Sequence, residues 1–146
     1  MRILAINGPN LNMLGGRDKS IYGDRTLHEI DALLKKEARA LNVEVLTFQS
    51  NHEGALVDFV QEQAESAQGI VINPGALTHY GYSLRDALVD SKLPVIEVHL
   101  SNIYRREEWR ARSVFAPIAQ GQISGLGWRG YVAALQALVG ELANQP

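Results

Sequence analysis

The 146-residue chain has no cysteine. That excludes disulfides, thiolate nucleophiles and metal sites built on sulfur, and it argues against redox chemistry on the protein itself. An excess of one charge is missing too: 14 Lys and Arg stand against 16 Asp and Glu, a formal net charge of -2. So even a balance offers no basic face for nucleic acid or for a membrane surface. No apolar run approaches the roughly 20 residues that span a bilayer. The opening Met1-Arg2 leads straight into Ile3-Leu4-Ala5-Ile6, a run too short for a signal-peptide core before Asn7, Gly8 and Pro9. The expectation is a cytoplasmic protein with small-molecule or protein partners. No internal repeat, linker or low-complexity tract is present.

What is present is 46% hydrophobic residues, enough for one well-buried core in a chain too short for two ordinary domains. Residues 1–146 therefore predict a single domain. Short apolar runs alternate with amphipathic stretches, the pattern of a parallel sheet with helices on both faces. The strand candidates are Ile3-Leu4-Ala5-Ile6, Val43-Glu44-Val45-Leu46, Ile70-Val71-Ile72, Val95-Ile96-Glu97-Val98 and a weaker Gly121-Gln122-Ile123-Ser124. Leu27, Ile30, Leu34 and Leu41 recur at helical spacing, as do Leu56, Phe59, Val60 and Ala64. Thr26 with Glu29, and Ser50 with Glu53, match the capping-box spacing and predict where these two helices start. A third helix is expected from near Ser83 to before Pro94. A last one follows from the stripe Tyr131, Leu135, Leu138 and Leu142, thickened by Val132 and Val139.

Five parallel strands in a three-layer α/β sandwich fit a flavodoxin-like arrangement, which puts the ends of the first and third strands at a topological switch point where ligands bind. The segments Asn7 to Tyr22, Asn73 to His79 and His99 to Ser101 then converge on one crevice. The first is long for a strand-to-helix connection, where roughly 2 to 6 residues is usual. It carries Asn10, Arg17 and Tyr22, with Gly15, Gly16 and Gly23 as hinges, and reads either as a lid or as a solvated loop anchored by its Tyr. A free phenol, with a pKa of about 10, is a poor base at neutral pH. A cation beside it favours the ionised form, which is why an Arg near a Tyr matters.

His79 and His99 fall just beyond strands, where an imidazole can transfer protons. Glu97 lies two residues before His99, so on a strand both point to the same side and Glu97 can orient the ring; the plainer reading is a buried polar pair satisfying each other. His28 and His52 belong on or near helices and are read as structural. A metal site from His79, His99 and Glu97 lacks the usual close ligand spacing. No Ser sits in a nucleophile-elbow pattern and no Lys stands at a strand end, so covalent catalysis is disfavoured. Gly125-Leu126-Gly127-Trp128-Arg129-Gly130 matches G-x-G-x-x-G but follows the last strand, with no later strand to present an acidic partner. These glycines are read as letting the final helix pack closely on the sheet. Arg105, Arg106, Arg110 and Arg112 cluster after the fourth strand, where one or two can hold a carboxylate or hydroxyls.

Asn7-Gly8-Pro9-Asn10-Leu11, Gln49-Ser50-Asn51, Asn73-Pro74-Gly75 and Glu97-Val98-His99 together resemble the type II 3-dehydroquinate dehydratases, in order from Ile6 to Tyr131. The resemblance implies a flavodoxin-like fold and elimination of water from 3-dehydroquinate to give 3-dehydroshikimate, with no metal, imine or other cofactor. It implies Tyr22 as the base, Arg17 as its activator, Asn10 positioning a water over the enolate, and His99 as the acid oriented by Glu97. For binding it implies Asn73 with the Leu100-Ser101 backbone at the substrate carboxylate, and His79 and Arg110 at ring hydroxyls. Asp86 would reach into a neighbouring subunit's site, within a homododecamer built from trimers. The chain departs from the usual pattern at Asp18-Lys19-Ser20, Tyr80-Gly81-Tyr82 and Ala111-Arg112, which touch the lid, the rim and subunit contacts. The proposed acid and base are intact.

The same reaction serves either aromatic biosynthesis in the shikimate pathway or quinate breakdown. A different hydroxy-ketone is a second enzymatic alternative. A non-enzymatic rival is a flavodoxin-like binding module. A receiver, however, needs carboxylates where this chain has Asn7, Asn10 and Asn73, and a flavin carrier would be yellow.

Overall fold

In the computed structural model, which describes residues 1–144, strands β1 (Arg2–Asn7), β2 (Glu44–Gln49), β3 (Gly69–Asn73), β4 (Val95–His99) and β5 (Gly121–Ser124) are all parallel and lie in the order β2-β1-β3-β4-β5. The expected α/β, flavodoxin-like sheet is therefore present, with the order reversing between β1 and β3. Alternation along each strand splits the core into two. Ile3, Ala5, Val71, Ile96 and Val98 face α2 (Leu27–Ala40) and α5 (Arg129–Ala143). Leu4, Ile6, Ile70, Ile72 and Val95 face α3 (Glu53–Gln63) and α4 (Tyr82–Ser91). Strands buried on both faces must be apolar at every position, which is why β1 and β3 read as unbroken hydrophobic runs. The same alternation places Glu97 and His99 together on the α3/α4 side.

The Thr26 capping box forms in full: Thr26 Oγ1 accepts from the Glu29 N–H and the Glu29 carboxylate accepts from the Thr26 N–H. The second predicted box does not form. Ser50 Oγ accepts from the His52 N–H instead. Glu53 reaches across to accept from the Leu84 N–H, capping the neighbouring helix α4. A local spacing was thus used for a tertiary bond. β2 begins at Glu44, one residue later than expected, because Asn42 (φ 56) and Val43 close α2 in a Schellman turn, with the Val43 N–H bonded to the Ala38 carbonyl at 2.9 Å. The long first loop contains a four-residue helix, α1 (Lys19–Tyr22), capped by the Asp18 side chain at the Ser20 N–H.

At the switch point the β1 and β3 loops meet backbone to backbone. The Gly8 N–H donates to the Asn73 carbonyl at 2.8 Å. A Cβ added to Gly8 would lie 2.2 Å from the Pro74 carbonyl oxygen, and one added to Gly75 (φ +60) would lie 2.8 Å from that of Pro9. In the G-x-G-x-x-G stretch, Gly130 is buried against Ile123 and Val98, as expected for close packing, whereas Gly125 and Gly127 are required by positive φ in the turn before α5.

Gly8→Ala is expected to destabilise the protein by about 3 kcal/mol or more, the upper end for forced overpacking. Gly54→Ala on the open face of α3, where nothing lies within 4 Å, is expected to stabilise it by about 0.4–1 kcal/mol. Denaturant unfolding of both variants measures the difference, and equal effects would contradict the packing described for Gly8.

Candidate active site

The carboxyl ends of β1, β3 and β4 enclose a crevice with about 630 Å³ of empty space, partly open to solvent. Its walls come from the three predicted segments: Asn10, Arg17 and Tyr22 from the first, Asn73 and His79 from the second, His99, Leu100 and Ser101 from the third, with Arg106 and Arg110 beyond. Three guanidiniums and two imidazoles line it, and among the described residues no carboxylate belongs to the wall. Such a surface selects an anionic ligand.

Tyr22 stands at the end of α1, half-buried. Its hydroxyl oxygen accepts hydrogen bonds from Arg17 Nη2 and from Arg106 Nη2, both at 2.8 Å. The Arg17 guanidinium also lies 3.8 Å from the ring centroid. Two guanidiniums thus donate to one phenol oxygen. Arg106 is held in turn by Ser101 Oγ, to which its Nη1 donates at 3.2 Å. A residue of the long first loop is thereby tied to the segment after β4.

Across the crevice, His99 Nε2 lies 2.6 Å from Glu97 Oε1, with Glu97 fully buried and His99 nearly so. Ser113 Oγ donates to the same carboxylate oxygen at 2.8 Å and accepts from the Phe115 and Ala116 N–H groups. A carboxylate oxygen only accepts, so Nε2 carries the proton and Nδ1 is left as the ring atom free for exchange. His79 Nδ1 lies 2.7 Å from the Arg112 carbonyl oxygen, and its ring meets Trp109 edge-on. Burial holds its imidazole below the ordinary value, with the Arg110 charge adding to that and the Arg112 carbonyl opposing it. The neutral ring donates from Nδ1 and presents an acceptor at Nε2.

Asn10 adopts a left-handed conformation (φ 68), fixed by Asn51 Oδ1, which accepts from the Asn10 N–H at 2.9 Å. Asn73 is buried at the crevice floor. Its Oδ1 accepts from the Gly75 N–H and its Nδ2 donates to the Tyr131 hydroxyl. Burial raises the Tyr131 phenol well above its usual pKa, so it remains a donor, and it gives its proton to Asn7 Oδ1.

Asp86 lies outside this crevice. It is exposed on α4, paired with Arg85 at 3.2 Å. Of the four clustered arginines, Arg105 is exposed and not part of this wall, Arg112 contributes its backbone, and Arg106 and Arg110 reach the wall. Arg106 was not distinguished from its neighbours by sequence, because its partner Tyr22 is 84 positions away. Ser113 and the Tyr131 hydroxyl also escaped sequence reasoning. Among the described residues, no three His, Asp or Glu side chains group closely enough to hold a metal ion.

The chain matches the family model "Dehydroquinase class II" over residues 1–139. A 3-dehydroquinate dehydratase of Roseiflexus castenholzii is 60% identical over 146 residues, all of this chain and 93% of that protein. A second one, from Halothermothrix orenii, is 52% identical, covering 94% of this chain and 93% of its own. The crystal structure of the type II dehydroquinase from Butyrivibrio crossotus superposes with a TM-score of 0.92 at 48% identity, covering 94% of this chain and 97% of that one. A crevice of that shape and charge on a sheet of that order, matched along nearly its whole length, leads to one assignment: the chain belongs to the class II dehydroquinase family.

Proposed function

We propose that this protein is a lyase that dehydrates 3-dehydroquinate to 3-dehydroshikimate, and that it does so by anti elimination through an enolate. The observation that carries the reading is the Tyr22 oxygen held between Arg17 and Arg106, facing a crevice that also contains the Glu97-supported imidazole of His99. Tyr22, as phenolate, takes the proton from the carbon next to the substrate ketone. The bonding electrons move into the enolate, whose oxygen is met by a water that Asn10 positions; a fixed dipole of this kind stabilises charge as it develops. The enolate then re-forms the ketone, the carbon–oxygen bond to the neighbouring hydroxyl breaks, and His99 supplies the proton that makes water the leaving group. Glu97, hydrogen-bonded to Nε2, keeps the ring oriented.

Asn73 and the Leu100-Ser101 backbone receive the substrate carboxylate, and His79 and Arg110 receive ring hydroxyls. The position of all five at the crevice wall supports this. Asp86, exposed on α4, is assigned to a neighbouring subunit's site in a dodecamer of trimers. The working unit would be a single domain of 1–146, acting in the cytoplasm. The reaction would belong to the shikimate pathway, with quinate breakdown as the alternative use of the same chemistry.

Metal-free protein is expected to convert 3-dehydroquinate to a conjugated product visible in the ultraviolet, and Tyr22→Phe is expected to lower kcat by about 10²–10⁴-fold, the usual worth of a positioned base. Inactive wild-type protein would sink the substrate; a fully active Tyr22→Phe would sink the base. Arg106→Ala removes a charged hydrogen bond and is expected to lower kcat by roughly 10- to 100-fold with the fold intact. Stopped assays of purified Arg106→Ala beside Arg17→Ala test whether both cations matter.

His79 should titrate below 6.5 in an NMR titration. The unfolded chain then takes up the proton first, so thermal stability is expected to fall as pH drops from about 6.5 and to level off below the folded value. His79→Gln should lack that slope.

A further inference from the structure

We infer that Tyr131 is a positioning residue: its hydroxyl sets the orientation of the Asn73 side-chain amide and so decides which hydrogen Asn73 presents to the crevice. The inference deepens the proposed function and rests on its reading of Asn73 as a substrate contact. The chain of bonds has a single direction. The Gly75 N–H can only donate, so the atom of Asn73 that faces it at 3.1 Å is the oxygen. The nitrogen therefore faces Tyr131 at 2.8 Å. The Tyr131 oxygen is thus an acceptor there, and its own proton goes to Asn7 Oδ1 at 2.7 Å. One of the two Asn73 amide hydrogens is consumed, which leaves the other for a ligand oxygen in the crevice Asn73 lines.

All three side chains are buried, at 1%, 3% and 1% exposure for Asn7, Asn73 and Tyr131. Asn7 ends β1, Asn73 ends β3, and Tyr131 lies in the first turn of α5. The two residues at the switch point are thereby clamped from beneath by a helix that supplies nothing else to the crevice wall. Without the hydroxyl, Asn73 keeps only the Gly75 contact and its amide can turn. The ligand must then order that amide at its own cost, which raises KM and leaves the chemical step alone.

The test is a double-mutant cycle of Tyr131→Phe with Asn73→Ala, read as kcat and KM for 3-dehydroquinate in the assembled protein. In the wild-type background Tyr131→Phe is expected to raise KM about five- to tenfold, the worth of about one hydrogen bond, with kcat changed by less than about twofold. In the Asn73→Ala background it is expected to change KM by less than about twofold, since the residue it acts through is gone. Equal KM penalties in both backgrounds, or a lowered Tm with KM unchanged, would overturn the inference in favour of a purely structural tyrosine.

If Tyr131→Phe does not fold, Asn7→Ala enters the same cycle: it frees the hydroxyl proton and should likewise raise KM only while Asn73 is present. A readout independent of turnover is the substrate-free crystal structure of the folded variant. A second Asn73 rotamer there supports the inference and an unmoved amide refutes it. Wild-type protein inactive on 3-dehydroquinate would instead refute the substrate reading and leave that crystallographic comparison to decide on Tyr131.

Discussion

The organisation of the site depends on how closely two loops can approach at the point where the strand order reverses. Gly8 and Gly75 lie against the carbonyls of Pro74 and Pro9, at separations that leave no room for a Cβ. Asn10 on one loop and Asn73 on the other consequently line one crevice. The prolines limit the backbone around those contacts. Without that approach the β1 loop would splay from the sheet, and the lid that continues from it would have no fixed base from which to place Arg17 and Tyr22.

Electrostatics adds a second constraint. Arg17 comes from the lid and Arg106 from the segment after β4, yet both donate to Tyr22. Seating the lid and surrounding the phenol oxygen with cations are therefore the same structural event. Opening the lid would separate Tyr22 from Arg106 and remove one of its two charged donors. In the proposed mechanism the base is thus complete only when the crevice is covered, which limits proton exchange with bulk water while the site is open.

Much of this was legible in the chain because it follows from periodicity. Strands buried on both faces leave unbroken apolar runs, and all five candidates became strands, displaced by at most a few residues at their ends. The pairing of Glu97 with His99 follows from alternation alone. What escaped notice involves partners remote in sequence. Glu53 has the spacing for its own helix cap but accepts from the Leu84 N–H of α4 instead. Arg106 is one of four similar arginines until the lid folds onto it. Tyr131 belongs to an apolar stripe, and nothing in the stripe reveals that its hydroxyl reaches two strand ends. The four-residue α1 is too short to leave a period, although Asp18 followed by Ser20 supplies its cap.

Beneath the crevice lies a tier of buried polar groups: Asn7, Asn73, Glu97, His99 and Ser101. Burying each costs free energy unless it is hydrogen-bonded. Here the bonds run to rigid elements, with Tyr131 from α5 under the asparagines and Ser113 under Glu97. Glu97 Oε2 has no protein partner among the described residues, so the carboxylate is only half satisfied. A core built for stability alone would place apolar side chains there. The polar tier makes sense if its return is orientation: an amide and an imidazole held in one pose before the ligand arrives need not be ordered at the ligand's expense. The walls above it carry the guanidiniums of Arg17, Arg106 and Arg110. In the proposed mechanism that buried tier fixes the acid and the carboxylate-binding amide, since proton transfer and hydrogen bonding tolerate little displacement.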